Sequence, residues 1–329
     1  MATVLITGAA GFIGFSLARS LLADGHTVAG VDTFSPGENV LLKRNRAAVL
    51  RATPGYTGLE FSAGDRRRLG AVCARYAPDA VCHFAGDPGG PDSLRRPYDV
   101  QNNRLTTFLA VLEAARLAET QPRILYASSA SVYGSEAPLP AAEETPANQP
   151  PHPEAAAHRT AERMAATYSR LYGLQTVGLR LFSVYGPWGR PDMAVWTFTE
   201  VLSGDRPVRV YNRGHMERDW IHIDDVVAAI RACLESRRPD TCELFNLGTE
   251  KSVPLIDVVH IVADALGKRP RMQFLPARSG EVARTQADIA RARTKLDWNP
   301  AVSAAEGIPH FVTWYLHYRD IRQGRKGRS

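Results

Sequence analysis

A glycine-rich turn close to the start of the chain constrains the fold more than any other feature. The segment Gly8-Ala9-Ala10-Gly11-Phe12-Ile13-Gly14 follows the apolar run Val4-Leu5-Ile6 and opens a helical pattern that extends to about Ala23. Backbone amides at such a helix N-terminus can face a pyrophosphate without obstruction by side chains. Asp32 ends the next apolar run, at the usual offset for a carboxylate that accepts both ribose hydroxyls of adenosine and repels a 2′-phosphate. The sequence therefore predicts an NAD site, against the alternative of a tight turn and a loop-capping acid.

Short apolar runs alternate with helical patterns through the first half of the chain. Strands separated by helices predict βαβ crossovers and a parallel sheet. The length of 329 residues, at about 150 per domain, favours two lobes. We therefore predict an α/β fold, a doubly wound parallel sheet of the Rossmann type with a second, smaller α/β lobe. The predicted strands include Val28–Val31, Ala80–Phe84, Ile124–Ala127 and Val177–Phe182, and the later helices are Ala155–Tyr172, Val253–Leu266 and Asp288–Leu296.

Composition excludes several classes of protein. With 44% hydrophobic and 22% charged residues, the chain is typical of an ordinary globular protein rather than a disordered one. No apolar run approaches 18 residues and no signal-peptide pattern precedes the first glycine, so we expect a cytoplasmic protein without a membrane partner. The four cysteines form no C-x-x-C pair and predict buried, reduced thiols: Cys73, Cys82, Cys233 and Cys242. We predict no metal site.

The net charge of +6 comes partly from the basic tail Arg319–Ser329. No basic stripe interleaved with aromatic residues and no zinc-finger or helix-turn-helix signature accompanies it. The charge therefore favours phosphorylated small molecules over nucleic acid as partners.

The Gly-x-x-Gly-x-x-Gly spacing resembles the extended short-chain dehydrogenase/reductase family, the NAD-dependent epimerases and dehydratases. Gly64-Asp65, His83–Gly86, Asn102 and Ser128–Gly134 follow in the family's order. The subgroup that the chain resembles most is the UDP-glucuronate 4-epimerases. The segments of this chain that resemble the subgroup are Thr167–Leu174, Leu179–Met193, Val210–Gly214, Arg218–Trp220, Ile223–Val226 and Phe245–Gly248.

The resemblance implies roles for particular residues. Asp65 and Arg66 would flank the adenine, and Ala85 and Asn102 would line the nicotinamide side. Arg218 and Arg278 match the arginines that hold the two phosphates of a nucleotide sugar, a task suited to guanidinium geometry. A second group would meet the sugar carboxylate: Arg190, Ser183, Ser128 and Ser129. The implied cofactor set is Gly8, Gly11, Phe12, Ile13, Gly14, Asp32, Asp65, Arg66, Ala85, Asn102, Ser128 and His158.

One motif of the family is replaced in this chain. The family carries a Tyr-x-x-x-Lys pair on the helix after a proline-rich loop, where the tyrosinate takes the hydroxyl proton and the lysine holds the nicotinamide ribose. Alignment on Pro150 and Glu162 places Glu154 at the tyrosine and His158 at the lysine.

Two interpretations of this replacement stay open. Residues four apart on a helix share a face, so Glu154 and His158 can touch. In the first interpretation Glu154 is a substitute base, desolvated so that its pKa rises from about 4.3 towards about 6 or 7. His158 then orients Glu154 or the cofactor ribose, and Ser129 polarises the reacting oxygen. In the second, Glu154 only suits the helix dipole, His158 is simply a polar residue, and the site is silent. Tyr133, Tyr185 or His152 are further candidates for the proton acceptor.

The predicted activity is that of a nucleotide-sugar 4-epimerase, an isomerase in which NAD takes up and returns the C4 hydride through a 4-keto sugar. The alternatives are a silent nucleotide-sugar and NAD binding protein, or an altered reaction such as C5 epimerisation, decarboxylation or oxidation. From the resemblance we expect a UDP-uronate as substrate and a homodimer. The expected NAD domain spans 1–182 plus about 220–251, and the nucleotide-sugar lobe about 183–219 plus 252–325.

Overall fold

The computed structural model describes residues 1–35, 40–86, 92–236, 241–278 and 280–322. Residues 323–329, which carry part of the predicted basic tail, lie outside the described residues. A seven-stranded sheet forms the centre of the molecule, with strand order β10-β6-β5-β4-β1-β2-β3 and every neighbouring pair parallel. Its strands are β1 (Thr3–Thr7), β2 (Thr27–Asp32), β3 (Tyr56–Glu60), β4 (Ala80–His83), β5 (Arg123–Ser129), β6 (Thr176–Leu181) and β10 (Cys242–Leu247).

The helices are numbered along the chain in the same way. They are α1 (Phe12–Ala23), α2 (Val40–Arg51), α3 (Arg66–Tyr76), α4 (Asp92–Arg95), α5 (Pro97–Leu117), α6 (Pro153–Tyr172), α7 (Ala194–Ser203), α8 (Ile223–Glu235), α9 (Leu255–Ala265), α10 (Ala290–Leu296) and α11 (Ala304–Arg322).

Strand β1 shows why the sheet is covered on both faces. Val4 and Ile6 pack into one apolar cluster with side chains of α1 and α8, whereas Leu5 packs into another with side chains of α3 and α5. Successive side chains of a strand point to opposite faces, so an uninterrupted apolar run fits a strand buried on both sides. The predicted parallel α/β sheet with helices on both faces is confirmed.

A smaller set of elements follows β6. Strands β7 (Ser183–Tyr185), β9 (Glu217–His222) and β11 (Ser252–Pro254) form one sheet, and β8 (Val208–Val210) pairs in parallel with β12 (Met272–Phe274). Helices α7, α9 and α11 contribute to a third apolar cluster around Trp196 and Phe311. Helix α9 begins two residues later than predicted because Val253 belongs to β11, where it pairs with Arg218 of β9. Helix α10 likewise begins at Ala290, whose amide donates to Asp288 at 2.8 Å.

Helix α6 carries the residues of greatest interest and has clear ends. His152 caps it by accepting a hydrogen bond from the Ala155 amide at 3.2 Å, and Pro153 occupies the first turn, where no backbone donor is required. Gly173 ends the helix in the left-handed region, with φ of 70°. The helix therefore starts two residues before the predicted Ala155 and places Glu154 in its first turn.

The prediction of four buried thiols is wrong for one cysteine. Cys73, Cys82 and Cys233 are buried, and Cys242 is exposed because it begins the strand at one edge of the sheet. Within the described ranges, no helix has the length and apolar character needed to cross a membrane.

Candidate active site

A cavity of about 1130 Å³ runs along the carboxyl ends of the central strands and continues to the smaller elements. Its walls include Asp32 at the end of β2, Ser129 at the end of β5 and Arg218 on β9. Open α/β sheets bind ligands at this edge, where helix N-termini and strand ends converge. The position of the cavity is therefore that expected for a nucleotide site.

The glycine turn forms one end of this cavity. Gly8 adopts a left-handed backbone, with φ of 75°, and a Cβ there would lie 2.7 Å from the backbone nitrogen of Ala85. A Cβ on Gly14 would overlap the carbonyl oxygen of Gly8. Gly8, Gly11 and Gly14 line the cavity together with Phe12 and Ile13, so the N-terminus of α1 faces open space. The turn fits a pyrophosphate because its backbone is accessible and helix α1 supplies a positive dipole end.

Asp32 stands beside this turn, and its carboxylate is already held by the backbone. It accepts hydrogen bonds from the amides of Ala10 at 3.0 Å and Phe34 at 2.9 Å, and Lys43 lies 3.5 Å away. A carboxylate has about four acceptor positions, so it can still receive ribose hydroxyls. Ala85, the predicted neighbour of the nicotinamide, also lines the cavity. The residues present fit NAD.

Two predicted adenine contacts lie outside the cavity. Asp65 is exposed and caps α3 by accepting from the Arg68 amide at 3.0 Å, and Arg66 is exposed in the first turn of that helix. The cavity wall next to them is formed by Phe61 and Ala63, which follow β3. The adenine contacts of Asp65 and Arg66 stay a prediction, and the Asp65 carboxylate already serves the end of α3.

Asn102, predicted to line the nicotinamide side, is not part of the cavity wall. It is exposed on α5 and accepts a hydrogen bond from the Thr106 hydroxyl at 3.2 Å. Residues four apart share a helix face, so Asn103 and Thr107 line the cavity while Asn102 and Thr106 face outward. The neighbouring Arg104 also lines the cavity, and it was not predicted.

The two serines that end β5 differ in their bonding. The hydroxyl of Ser128 donates to Glu162 at 2.7 Å and is almost fully buried. Ser129 accepts from the amide and the hydroxyl of Ser131, at 3.1 and 2.8 Å. Both bonds leave the proton of the Ser129 hydroxyl available to a ligand in the cavity.

Glu154 projects into the middle of the cavity and has a charged partner. Its Oε1 lies 2.6 Å from a guanidinium nitrogen of Arg104, and both side chains are 16% exposed. His158 is one turn further along α6, with Nε2 at 3.9 Å from the same carboxylate oxygen. The predicted contact between Glu154 and His158 is therefore a longer approach, and the hydrogen bond belongs to Arg104. An isolated, desolvated carboxylate is not what the structure contains.

His158 is a neutral side chain in this setting. Burial and, to a smaller extent, the nearby Arg104 guanidinium lower its pKa to about 3, although Glu154, Glu162 and the Ala127 carbonyl act in the opposite direction. At neutral pH the imidazole carries no charge, so it cannot replace a lysine electrostatically.

The other predicted proton acceptors face other partners. The Tyr133 hydroxyl donates to Asn246 at 2.7 Å, and burial raises the pKa of this tyrosine. Tyr185 borders the cavity, yet its hydroxyl donates to the Ser303 carbonyl at 3.0 Å, and burial raises its pKa too. His152 is the cap of α6, and burial lowers its pKa. None of the three presents a free base to the cavity.

The predicted Arg190, Arg218 and Arg278 line the cavity with Ser183, and so do Arg206 and Arg209, which were not predicted. Arg218 donates to the carbonyls of Glu217 and Ala283, at 2.9 and 3.1 Å, and burial lowers its pKa while Glu281 opposes that shift. The guanidinium carbon of Arg278 lies 3.5 Å from the ring centre of Tyr211. Positive charge is thus concentrated where a diphosphate would lie.

Arg190, predicted to meet a sugar carboxylate, is engaged by an internal one. Its Nε and one terminal nitrogen donate to the two oxygens of Asp192, at 3.0 and 2.8 Å. This fork is the arrangement that a uronate carboxylate would adopt. Asp192 was not predicted, although it lies two residues from Arg190.

Comparisons with known proteins agree with this geometry. Residues 4–248 match the NAD dependent epimerase/dehydratase family. The chain is 34% identical over 328 residues to the probable UDP-glucuronate 4-epimerase of Rhizobium meliloti (strain 1021), covering 94% of this chain and 96% of that protein.

Two solved structures are similar throughout. UDP-glucuronic acid 4-epimerase from Bacillus cereus, in complex with UDP-glucuronic acid and NAD, has a TM-score of 0.90 and 27% identity, covering 96% of this chain and 99% of that one. MoeE5 in complex with UDP-glucuronic acid and NAD has a TM-score of 0.85 and 28% identity, with coverage of 96% and 99%.

Proposed function

The chain belongs to the NAD dependent epimerase/dehydratase family, and from that premise we propose that it epimerises a UDP-uronate at C4. The observation that carries the proposal is a single cavity bounded by the glycine turn at one end and by Arg218 and Arg278 at the other. A dinucleotide at the turn and a nucleotide sugar at the arginines would meet between them, where Ser129 and Glu154 lie. NAD, when bound, supplies the acceptor and donor of the C4 hydride.

The chemistry of each cavity residue suggests which part of the cofactor or of the nucleotide sugar it would bind. Gly8, Gly11 and Gly14 would leave backbone amides open to the pyrophosphate, with Asp32 at the adenosine ribose. Arg218 and Arg278 would neutralise the sugar diphosphate, and Arg190 with Ser183 would hold the uronate carboxylate.

Proton transfer would involve the middle of the cavity. Ser129 has a hydroxyl proton to donate to the C4 oxygen, and Glu154 is the carboxylate that would accept the alcohol proton and return it. Ser128 donates its hydroxyl proton to Glu162, so it would act toward the sugar as a hydrogen-bond acceptor.

The experiment is conversion of UDP-glucuronate by the protein and NAD in deuterated water, followed by NMR of the sugar protons. We expect UDP-galacturonate without deuterium, because the hydride returns internally. Glu154→Gln should lower turnover by about 10²–10⁴-fold while the affinity for UDP-glucuronate changes little.

The control is Asp24→Asn, which removes an exposed carboxylate paired with Arg231 away from the cavity and from α5 and α6. Its turnover should equal that of the wild type. A Glu154→Gln variant as fast as the wild type would exclude Glu154 as the base, and deuterium at C5 would indicate chemistry beside the carboxylate instead.

A specific observation favours one second function, a silent binding protein. The Arg104 guanidinium stabilises the ionised form of Glu154 and uses one of its acceptor positions, which weakens a base. Tight binding of NAD and UDP-glucuronate without any change in a panel of nucleotide sugars would establish this alternative.

The assembly and the division of the chain are part of the proposal. Exposed apolar side chains on α5 and α6 support a homodimer through these helices: Leu109, Leu117, Leu171 and Tyr172. We also assign the NAD domain to 1–182 plus about 220–251, the nucleotide-sugar lobe to about 183–219 plus 252–325, and the protein to the cytoplasm.

A further inference from the structure

The carboxylate of Glu154 is held from a neighbouring helix rather than from its own. Arg104 on α5 reaches it at 2.6 Å, whereas His158 on α6 stays 3.9 Å away. At these distances the guanidinium makes a charge-assisted hydrogen bond and the imidazole does not. Both partners of the ion pair are largely shielded from water, so the attraction is little screened.

The histidines around this pair do not contribute positive charge. His158 and His83 on β4 are fully buried, and burial lowers the pKa of each to about 3. His152, at the cap of α6, also has a lowered pKa because it is buried. The other carboxylate of this part of α6, Glu162, is bound by Arg180 at 2.8 Å. Its negative charge is therefore balanced by that guanidinium. Among the residues that the structure describes, the cation at hydrogen-bond distance from Glu154 at neutral pH is therefore Arg104.

The fold leaves a path for the Arg104 side chain to reach the cavity. Gly86 follows β4 and lines the same wall, and a Cβ there would lie 3.2 Å from a terminal nitrogen of Arg104 and 3.3 Å from its Cγ. Such contacts are tighter than ordinary packing. A residue without a side chain at position 86 thus allows the guanidinium to lie against the backbone and face Glu154.

We propose that Arg104 is the positioning residue of this site, which fixes the carboxylate of Glu154 and keeps it ionised as the proton acceptor. The inference rests on the proposed epimerase function. In the forward step the O–H bond at C4 would break, its proton would go to the carboxylate of Glu154, and its electron pair would form the C4=O bond. The C4–H bond would break at the same time, with bound NAD supplying the hydride acceptor. In the second step Glu154 would return the proton to the C4 oxygen, and the hydride would return to the opposite face of the keto sugar after the sugar has turned in the cavity. Arg104 itself transfers nothing.

The first test is the pH dependence of kcat/KM for UDP-glucuronate in three variants. Arg104→Met removes the cation, so protonation of Glu154 should occur more readily and the acid limb should move up by about one to three pH units. Arg104→Lys retains a charge and should keep the acid limb near that of the wild type. Arg231→Met, which breaks a partly exposed pair with Asp24 away from the cavity and from α5 and α6, should leave the profile unchanged.

The second test does not require turnover. The protein is labelled with ¹³C at the glutamate side-chain carboxyls, and the Glu154 signal is assigned by its loss in Glu154→Gln. We expect its titration midpoint to be about one to three pH units higher in Arg104→Met than in the wild type or in Arg104→Lys.

The outcomes separate the two proposals. A midpoint that does not move in Arg104→Met overturns the role of Arg104, whatever the activity. A shifted midpoint in a protein that converts no nucleotide sugar upholds the positioning by Arg104 and overturns the epimerase function. A shift in both midpoint and acid limb supports the two together. An Arg104→Lys variant that behaves like Arg104→Met shows that a positive charge at position 104 does not by itself position Glu154 and that the guanidinium is needed.

Discussion

The buried ion pair behind the active site offers a stability prediction whose size follows from its geometry. Both oxygens of Glu162 accept from Arg180, at 2.8 and 2.9 Å, and each side chain is only 1% exposed. Ser128 and Arg159 donate to the same carboxylate, each at 2.7 Å. Replacing Glu162 by Gln keeps the shape of the side chain and removes its charge, so Arg180 becomes a buried cation without its counter-ion.

Breaking a buried pair by removing one partner costs about 3–5 kcal/mol, because the remaining charge is desolvated and uncompensated. Natural domains are stable by about 5–15 kcal/mol, so Glu162→Gln should lower the urea midpoint of unfolding by a large fraction. A loss of this size is easily measured by tryptophan fluorescence in urea at pH 7.

The pH dependence gives an independent check of the cause. Burial raises the pKa of Glu162, but the hydrogen bonds and charge of Arg180 outweigh it, and the pKa lies below its ordinary value. A depressed pKa contributes stability that is present above the unfolded value of about 4.3 and is lost as the pH falls through the folded value. The difference between wild type and variant should therefore be constant from about pH 7 to about pH 5 and shrink below about pH 4.

A surface pair of the same chemistry is the control. Arg44 and Glu60 form two hydrogen bonds at 2.8 and 2.7 Å with exposed side chains, so Glu60→Gln should change the urea midpoint little. Equal losses in Glu162→Gln and Glu60→Gln would refute the reasoning, because burial would then not determine the cost of the missing charge.

Two further predictions concern ligand binding. Gly14→Ala should weaken NAD binding by about tenfold or more, because the new Cβ would overlap the Gly8 carbonyl and displace the helix N-terminus. NAD affinity is measured by calorimetry, with Gly70→Ala as the control because a Cβ at position 70 has no atom within 4 Å. Asp192→Asn should lower the KM for UDP-glucuronate by up to about fivefold and leave that for UDP-glucose unchanged, because it removes the negative charge that competes with a uronate for the half-exposed Arg190. A higher KM for UDP-glucuronate in steady-state assays would instead show that Asp192 orients Arg190 for the substrate.

The sheet and the cofactor turn could be predicted because their signals are local. The glycines that form the turn lie within seven residues, and the apolar runs of β1, β2 and β4 are long enough to distinguish a buried parallel strand. The roles of Asn102 and Asp65 stay predictions, since both side chains are exposed. A shift of one or two positions on a helix or at a helix cap is enough to turn a side chain from the cavity to solvent.

The centre of the site shows a different limit of prediction from sequence. The spacing of Glu154 and His158 is evident in the sequence and suggests a pair. Arg104 lies 50 residues from Glu154, on another helix. Once the fold brings them together, electrostatics selects the partner. A histidine that burial keeps neutral gives a carboxylate no charge stabilisation, and a guanidinium at hydrogen-bond distance gives a great deal. Glu154 therefore cannot be understood as a replacement for one residue of a motif. It is half of an ion pair, and whether it can take a proton depends on Arg104 as much as on its own position.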